Sequence, residues 1–314
     1  VVTFRQYPVL LGTALLAYGF RLRHAVDADH IAAIDNVTRK LMQEGKRPAT
    51  VGFFFSLGHS AVVVLASVAI AATATAFKGR FAAFQSVGGL IGTLVSSLFL
   101  LAIAAMNIVI LVSVVRVFRR VKAGGAYSED DFNTLLAGRG LLARLFRPVI
   151  QIVRQSWQMF PLGFLFGLGF DTATEVGLLG ISASQAAQGM PIWSILVYSA
   201  LFTAGMSLVD TTDGIFMLGA YGWAFLKPLR KLYYNMTITF ISVVVAVVVG
   251  GIEALGLAGD KLGLTGPFWD GIGALNDNFG TIGYLIIALF VLSWLLAAVI
   301  YRARGYDRLE TQLG

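Results

Sequence analysis

Residues 24–36 read HAVDADHIAAIDN and lie inside an apolar segment, 8–37, long enough to cross a bilayer. His24 and His30 bracket Asp27 and Asp29, and Asp35 follows five residues later. An ionisable side chain at the centre of a membrane helix costs roughly 2.5 to 3.5 kcal/mol on insertion scales. A cluster of imidazoles and carboxylates at that depth therefore needs a compensating partner. A divalent transition-metal cation passing through the bilayer is the natural one. The chain has only three histidines, and the third, His59, also falls in an apolar span.

The surrounding sequence fits this reading. The chain of 314 residues is 57% hydrophobic and 13% charged, with a mean hydropathy of +0.77. That composition indicates a polytopic membrane protein. Apolar stretches near 8–37, 50–76, 86–115, 158–182, 192–222, 233–256 and 281–301 predict an all-α transmembrane helix bundle of seven spans. The blocks are continuous and lack the alternation of a β-barrel. We expect one integral-membrane domain over 1–314, its halves joined by a cytoplasmic loop at 116–157. The second part of that loop reads as a structural, interfacial segment broken near Pro148. The outer connection 257–280 reads as a glycine-rich surface loop carrying Trp269. Zero cysteines exclude disulfides, thiolate metal sites and iron–sulfur clusters.

The net charge of +7 comes from basic residues between apolar blocks rather than on one stripe. Nucleic acid is therefore not the expected partner; membrane topology is the better explanation. Most Lys and Arg follow the first, third, fifth and seventh spans: Arg39, Lys40, Lys46 and Arg47; the 116–157 loop; Lys227, Arg230 and Lys231; and Arg302, Arg304 and Arg308. Positive-inside orientation makes that side cytoplasmic, the C-terminus included, and puts Val1 outside. No signal peptide is apparent, so the expectation is that one earlier span is missing from this sequence.

On a regular helix at about 100° per residue, His24, Asp27, His30 and Asp35 form one polar stripe, whereas Asp29 falls nearly opposite Asp27. Either the helix is interrupted here, as transporter sites often are, or Asp29 orients an imidazole or pairs with an arginine. Arg21 and Arg23 read as partners for the nearby aspartates. Later spans add polar groups: Gly58-His59-Ser60 in the second, Asp171 and Glu175 on one face of the fourth, Ser207, Asp210 and Asp213 on one face of the fifth. Seven intramembrane carboxylates thus face two arginines. Such an excess requires protonation, bound cations, or alternation between them. A network gluing helices through Thr and Arg is the competing reading for the acids of the fourth and fifth spans. Glu253 and Asn107 read as structural. The echo of Phe55-Ser56-Leu57-Gly58-His59-Ser60 in Phe166-Gly167-Leu168-Gly169-Phe170-Asp171 is as well explained by chance as by duplication.

Imidazole with carboxylate suits Ni²⁺, Co²⁺, Zn²⁺ or Fe²⁺, while Mg²⁺ and Ca²⁺ prefer all-oxygen shells. No phosphate-binding loop or HExxH motif is present. This argues against a nucleotide partner, and against an intramembrane zinc protease. A passive structural protein gives no account of the buried carboxylates.

At these residues the chain resembles the nickel/cobalt transporter family of secondary metal permeases. The resemblance rests on HAVDADHIAAIDN at 24–36, LGHS at 57–60, LGFDTATEVGLL at 168–179 and GMSLVDTTDGIFM at 205–217. It implies uptake of Ni²⁺ or Co²⁺ across the cytoplasmic (inner) membrane, with no cofactor and with the metal as cargo. It also implies eight spans, both ends cytoplasmic, and the signature in the second span, in line with a missing first helix. The family's functional residues carry over as His24, Asp27, Asp29 and His30. His59 joins them as a candidate ligand, and Asp35, Asp171, Glu175, Asp210 and Asp213 as candidates for a supporting pathway. Efflux on the same scaffold is the alternative, disfavoured because 116–157 holds no histidine.

Overall fold

The computed structural model describes residues 12, 15, 18, 19, 24–72, 78–122, 153–168, 173–187, 189–224 and 228–303. The described residues are organised as helices: α1 (Ala28–Gln43), α2 (Val51–Ala72), α3 (Lys78–Lys122), a 3-10 turn at Ser156–Gln158, α4 (Met159–Gly167), α5 (Ala173–Ala187), α6 (Ile192–Ala224), α7 (Pro228–Leu262), α8 (Pro267–Asn276) and α9 (Phe279–Ala303). Parts of α2, α3, α6, α7 and α9 are long and apolar enough to cross a membrane. These five coincide with five of the seven expected spans. For the fourth span the described backbone is two shorter helices, α4 and α5, with 169–172 between them outside the described residues. Arg21, Arg23, Asp171 and the stretch 123–152, including the expected break near Pro148, also lie outside them.

Two connections differ from the sequence reading. α3 continues to Lys122, so Arg116, Arg119 and Arg120 extend the third helix instead of opening a loop. The outer connection is not an open loop: α7 runs on to Leu262, and α8 follows after Gly263 and Gly266 at positive φ. The sequence signal was Pro267 at the first turn of α8, a favoured helix start.

In lipid, apolar side chains gain little by leaving the acyl chains, so close packing and hydrogen bonds hold such a bundle together. The contact between α2 and α4 shows how. A Cβ on Gly58 would run into the Phe160 carbonyl, and one on Gly163 into the Phe55 carbonyl. These two glycines let the backbones touch. α2 and α6 run antiparallel and are tied by hydroxyls along their length: Ser56 to Ser207 (3.0 Å), Ser60 to the Met206 Sδ (3.4 Å) and Ser199 to Ser67 (2.9 Å). Where they cross, Gly52 presses against the backbone carbonyl of Asp210. α3 packs along α7, and the Glu253 carboxylate of α7 accepts from Ser96 of α3 (2.8 Å). One apolar core joins α1, α2, α3, α4, α6, α7 and α9, and a second lies between α2, α5 and α6.

Candidate metal centre

The helix carrying the signature is interrupted. His24 is helical, Ala25 and Val26 form a turn, and Asp27 is extended (φ −65°, ψ 146°) as the residue capping α1. The Asp27 amide donates back to the His24 carbonyl at 2.9 Å, closing the turn. The break removes the regular-helix geometry that would leave His24 and His30 at the two edges of the polar stripe, about 120° apart. Their ring centroids stand 5.0 Å apart, and the His59 ring of α2 completes a triangle at 5.2 and 4.8 Å. Each imidazole offers a nitrogen within 4.8 Å of the others, and all three rings are buried.

Asp27 Oδ2 lies 2.7 Å from His24 Nδ1, an ion-pair approach rather than a well-aligned hydrogen bond. A carboxylate there assigns the proton to Nδ1 and leaves the Nε2 lone pair pointing away from it. That Nε2 faces His59 Nε2 at 3.4 Å. Two ligands bound at about 2.1 Å to one tetrahedral ion are themselves about 3.4 Å apart. The pair is spaced to share a cation.

The supports of this triangle come from neighbouring helices. The Phe55 ring stacks edge-on against His30 at 4.9 Å, and Phe166 backs Phe55 at 5.3 Å. A Cβ on Gly167 would sit 2.7 Å from the His59 carbonyl, so α4 touches α2 at the third imidazole itself. On the other side, Asp210 Oδ2 of α6 lies 3.6 Å from His30 Nδ1. The Gly52 crossing sets that position.

The other sequence candidates separate into groups. Asp29 is half-buried in the first turn of α1, within coulombic reach of His24, Asp27 and His30, but its carboxylate is not part of the three-nitrogen cluster. Asp213 lies within coulombic reach of Asp210 and Asp35. Asp35 is fully buried and accepts from the Tyr221 hydroxyl of α6 and from Ser242 of α7 (2.7 Å). Glu175 belongs to α5. Tyr221, Ser242 and Arg39 did not stand out in the sequence as site residues. For Tyr221 a signal was present: it continues the face of α6 set by Asp210 and Asp213 through Met217, at spacings of three and four.

Residues 10–300 match the family model described as NicO, high-affinity nickel-transport protein. The chain belongs to the NicO family. It is therefore a transporter and not an enzyme. The chain is 63% identical to a high-affinity nickel transport protein of Cupriavidus necator, over 99% of this chain and 89% of that one. It is 53% identical to the hydrogenase nickel incorporation protein HupN of Bradyrhizobium diazoefficiens, over 95% of this chain and 78% of that one. It is also 41% identical to the cobalt transport protein NhlF of Rhodococcus rhodochrous, over 91% and 81%. No solved structure matches the chain.

Proposed function

We propose that this chain carries Ni²⁺ or Co²⁺ into the cell across the cytoplasmic membrane as a secondary permease, acting as one integral-membrane domain. The convergence of His24, His30 and His59 from a broken helix and its neighbour is the observation that carries the reading. Membership of the NicO family, with relatives named for nickel and cobalt transport, supports it. Borderline nitrogen donors beside carboxylates favour late first-row divalent ions over Mg²⁺ or Ca²⁺.

In this reading the three imidazoles replace part of the ion's hydration shell. Asp27 holds His24 in the ligating tautomer, and Asp29 adds negative charge beside the site. The ion then passes to Asp210 and on to Asp213 and Asp35, with Asp171 and Glu175 as further supporting acids. From Asp210 to Tyr221 the α6 face spans about 16 Å, roughly half of the hydrocarbon thickness. The Lys/Arg-rich ends of the helices, the C-terminus included, face the cytoplasm. No nucleotide-binding loop is present, so membrane potential is the proposed driving force. A doubly charged ion gains roughly 4.6 kcal/mol per 100 mV moving inward. Reconstitution into proteoliposomes with an imposed inside-negative potential tests this. Wild type should accumulate radiolabelled Ni²⁺ or Co²⁺, and His24→Ala, His30→Ala and His59→Ala should not. Undiminished uptake by the triple variant would overturn the reading.

A further inference from the structure

At the inner end of the acidic series lies a group that the metal centre does not use. Arg39 is 1% exposed, four residues after Asp35 on α1. A guanidinium stays cationic inside proteins, so this is a fixed positive charge buried in the bundle. Burying it is costly unless its surroundings compensate.

Its partners are unusual for such a charge. Nη1 donates to Thr239 Oγ1 of α7 at 3.0 Å and Nη2 to Asn36 Oδ1 at 3.1 Å. Asn36 Oδ1 also accepts from Asn107 Nδ2 of α3 at 2.7 Å, while Asn36 Nδ2 donates to the Ala32 carbonyl at 2.6 Å. The guanidinium is thus hydrogen-bonded to neutral oxygens. Its charge acts through space on Asp35 and Tyr221. Asp35, in turn, spends its two carboxylate oxygens on the Tyr221 and Ser242 hydroxyls. Two hydrogen-bonded sets that share α1, coupled through space by Arg39 and Asp35, therefore make up one network joining α1, α3, α6 and α7 at this end. It is held by hydrogen bonds that can exchange, around a carboxylate whose counter-charge is tethered nearby and not clamped to it.

A bundle-gluing network needs no charge here, because neutral amides and hydroxyls would do the same. A path that must stay shut to small cations while empty does need one. We propose that Arg39 is the inner gate of the path, a tethered cation that balances Asp35 while no ion is present and is displaced when a divalent ion reaches Asp213 and Asp35. This rests on the reading of those acids as the inward route. The arriving ion brings two positive charges to carboxylates already balanced by one. Repulsion then moves the guanidinium off Thr239 and Asn36, and the contacts that tie α1 to α7 part. The exit opens only behind cargo.

The cysteine-free sequence allows a direct test. Met217 is 3% exposed on α6, four residues from both Asp213 and Tyr221, so Met217→Cys places a single thiol inside the proposed gate. Its labelling by a charged, membrane-impermeant thiol reagent is measured in inside-out vesicles, with and without Ni²⁺. M217C alone should be protected, and Ni²⁺ should speed its labelling. M217C/R39Q should label at least about tenfold faster without metal, the scale expected for losing a charged hydrogen-bonded group, and Ni²⁺ should add little. M217C/R39K should keep the metal dependence. Thr239→Val in the same background loosens the guanidinium while keeping its charge, and should raise labelling to an intermediate level. Ni²⁺ affinity of purified Arg39→Gln, read by calorimetry, should stay within about threefold of wild type because the imidazoles are untouched.

A folded M217C/R39Q protein whose introduced thiol stays protected would overturn the gate. If R39Q cannot be recovered, unchanged protection in the T239V protein overturns it equally. Failure of the metal-centre reading has a separate signature, in which alanine at His24, His30 and His59 leaves Ni²⁺ binding by the purified protein intact.

Discussion

His24 Nε2 stands 3.4 Å from His59 Nε2, joining a residue just before a helix break to one within an unbroken span. Thirty-five residues separate them in the chain. The backbone that carries His59 is held by close contacts, since α4 touches α2 at Gly58 and again at the His59 carbonyl. The predictions follow from this arrangement and from the network beyond it.

Removing a ligand should cost more than removing its support. Asp27→Asn keeps the shape but loses the carboxylate that fixes the His24 tautomer, and should lower Ni²⁺ affinity by about 10- to 100-fold. His59→Ala should lower it further. Calorimetric titration of the purified protein in detergent ranks the two, and an Asp27→Asn effect as large as His59→Ala would make Asp27 a ligand in its own right.

Gly52→Ala should destabilise the fold by about 1–3 kcal/mol, the usual cost of overpacking, because the new methyl meets the Asp210 carbonyl. Gly219→Ala on α6 is the matched control, with nothing within 4 Å of the added carbon. It should be neutral or stabilising by up to about 1 kcal/mol from helix propensity. Thermal unfolding in detergent compares them, and Ni²⁺ affinity should fall only in Gly52→Ala.

Tyr221→Phe removes the hydroxyl that donates to Asp35 and leaves a buried carboxylate short of a partner. The expected loss is about 1–3 kcal/mol. The unfolding midpoint should drop, and metal affinity at the imidazoles should hold. A drop in affinity without a drop in midpoint would contradict the separation between the candidate metal centre and the Asp35 network.

Lys40 lies past the C-terminal end of the first expected span and reaches the Val153 carbonyl and Glu44. Burial pushes its ammonium below the ordinary value of 10.5, with Glu44 opposing. As pH climbs toward 10.5 the folded chain releases this proton before the unfolded chain does. The unfolded state then binds more protons, so this group's contribution to stability rises with pH in that window and is constant well below it. Lys40→Met should remove the rise, seen as a flatter plot of unfolding midpoint against pH on the approach to 10.5.

Much of this architecture was legible in the residues. Apolar length located five helices, since a bilayer admits few alternatives for such segments. Three histidines in a chain of this composition, all within apolar spans, singled themselves out as candidate ligands, because burying them without purpose is costly, and the structure brings the three together. Helical angles alone showed that His24, Asp29 and His30 cannot converge from a regular helix, but not which resolution holds. The backbone break brings His24 and His30 together and leaves Asp29 beside them. Arg39 went unnoticed because an arginine near a span's end reads as a topology marker. Only tertiary packing shows it buried. α8 was missed for a related reason: its ten residues include glycines and fall between two spans.

The discontinuity before α1 has an electrostatic outcome. A helix start carries about half a positive elementary charge, and here it begins at Ala28, beside the imidazoles. By itself that end would repel a metal ion. Asp27 at the cap and Asp29 in the first turn oppose it when ionised, so a cation at the candidate site would meet attraction from side chains and opposition from the peptide dipoles. A resting place built from opposed fields holds its guest less tightly than its donor atoms alone would, which suits a carrier that must let go.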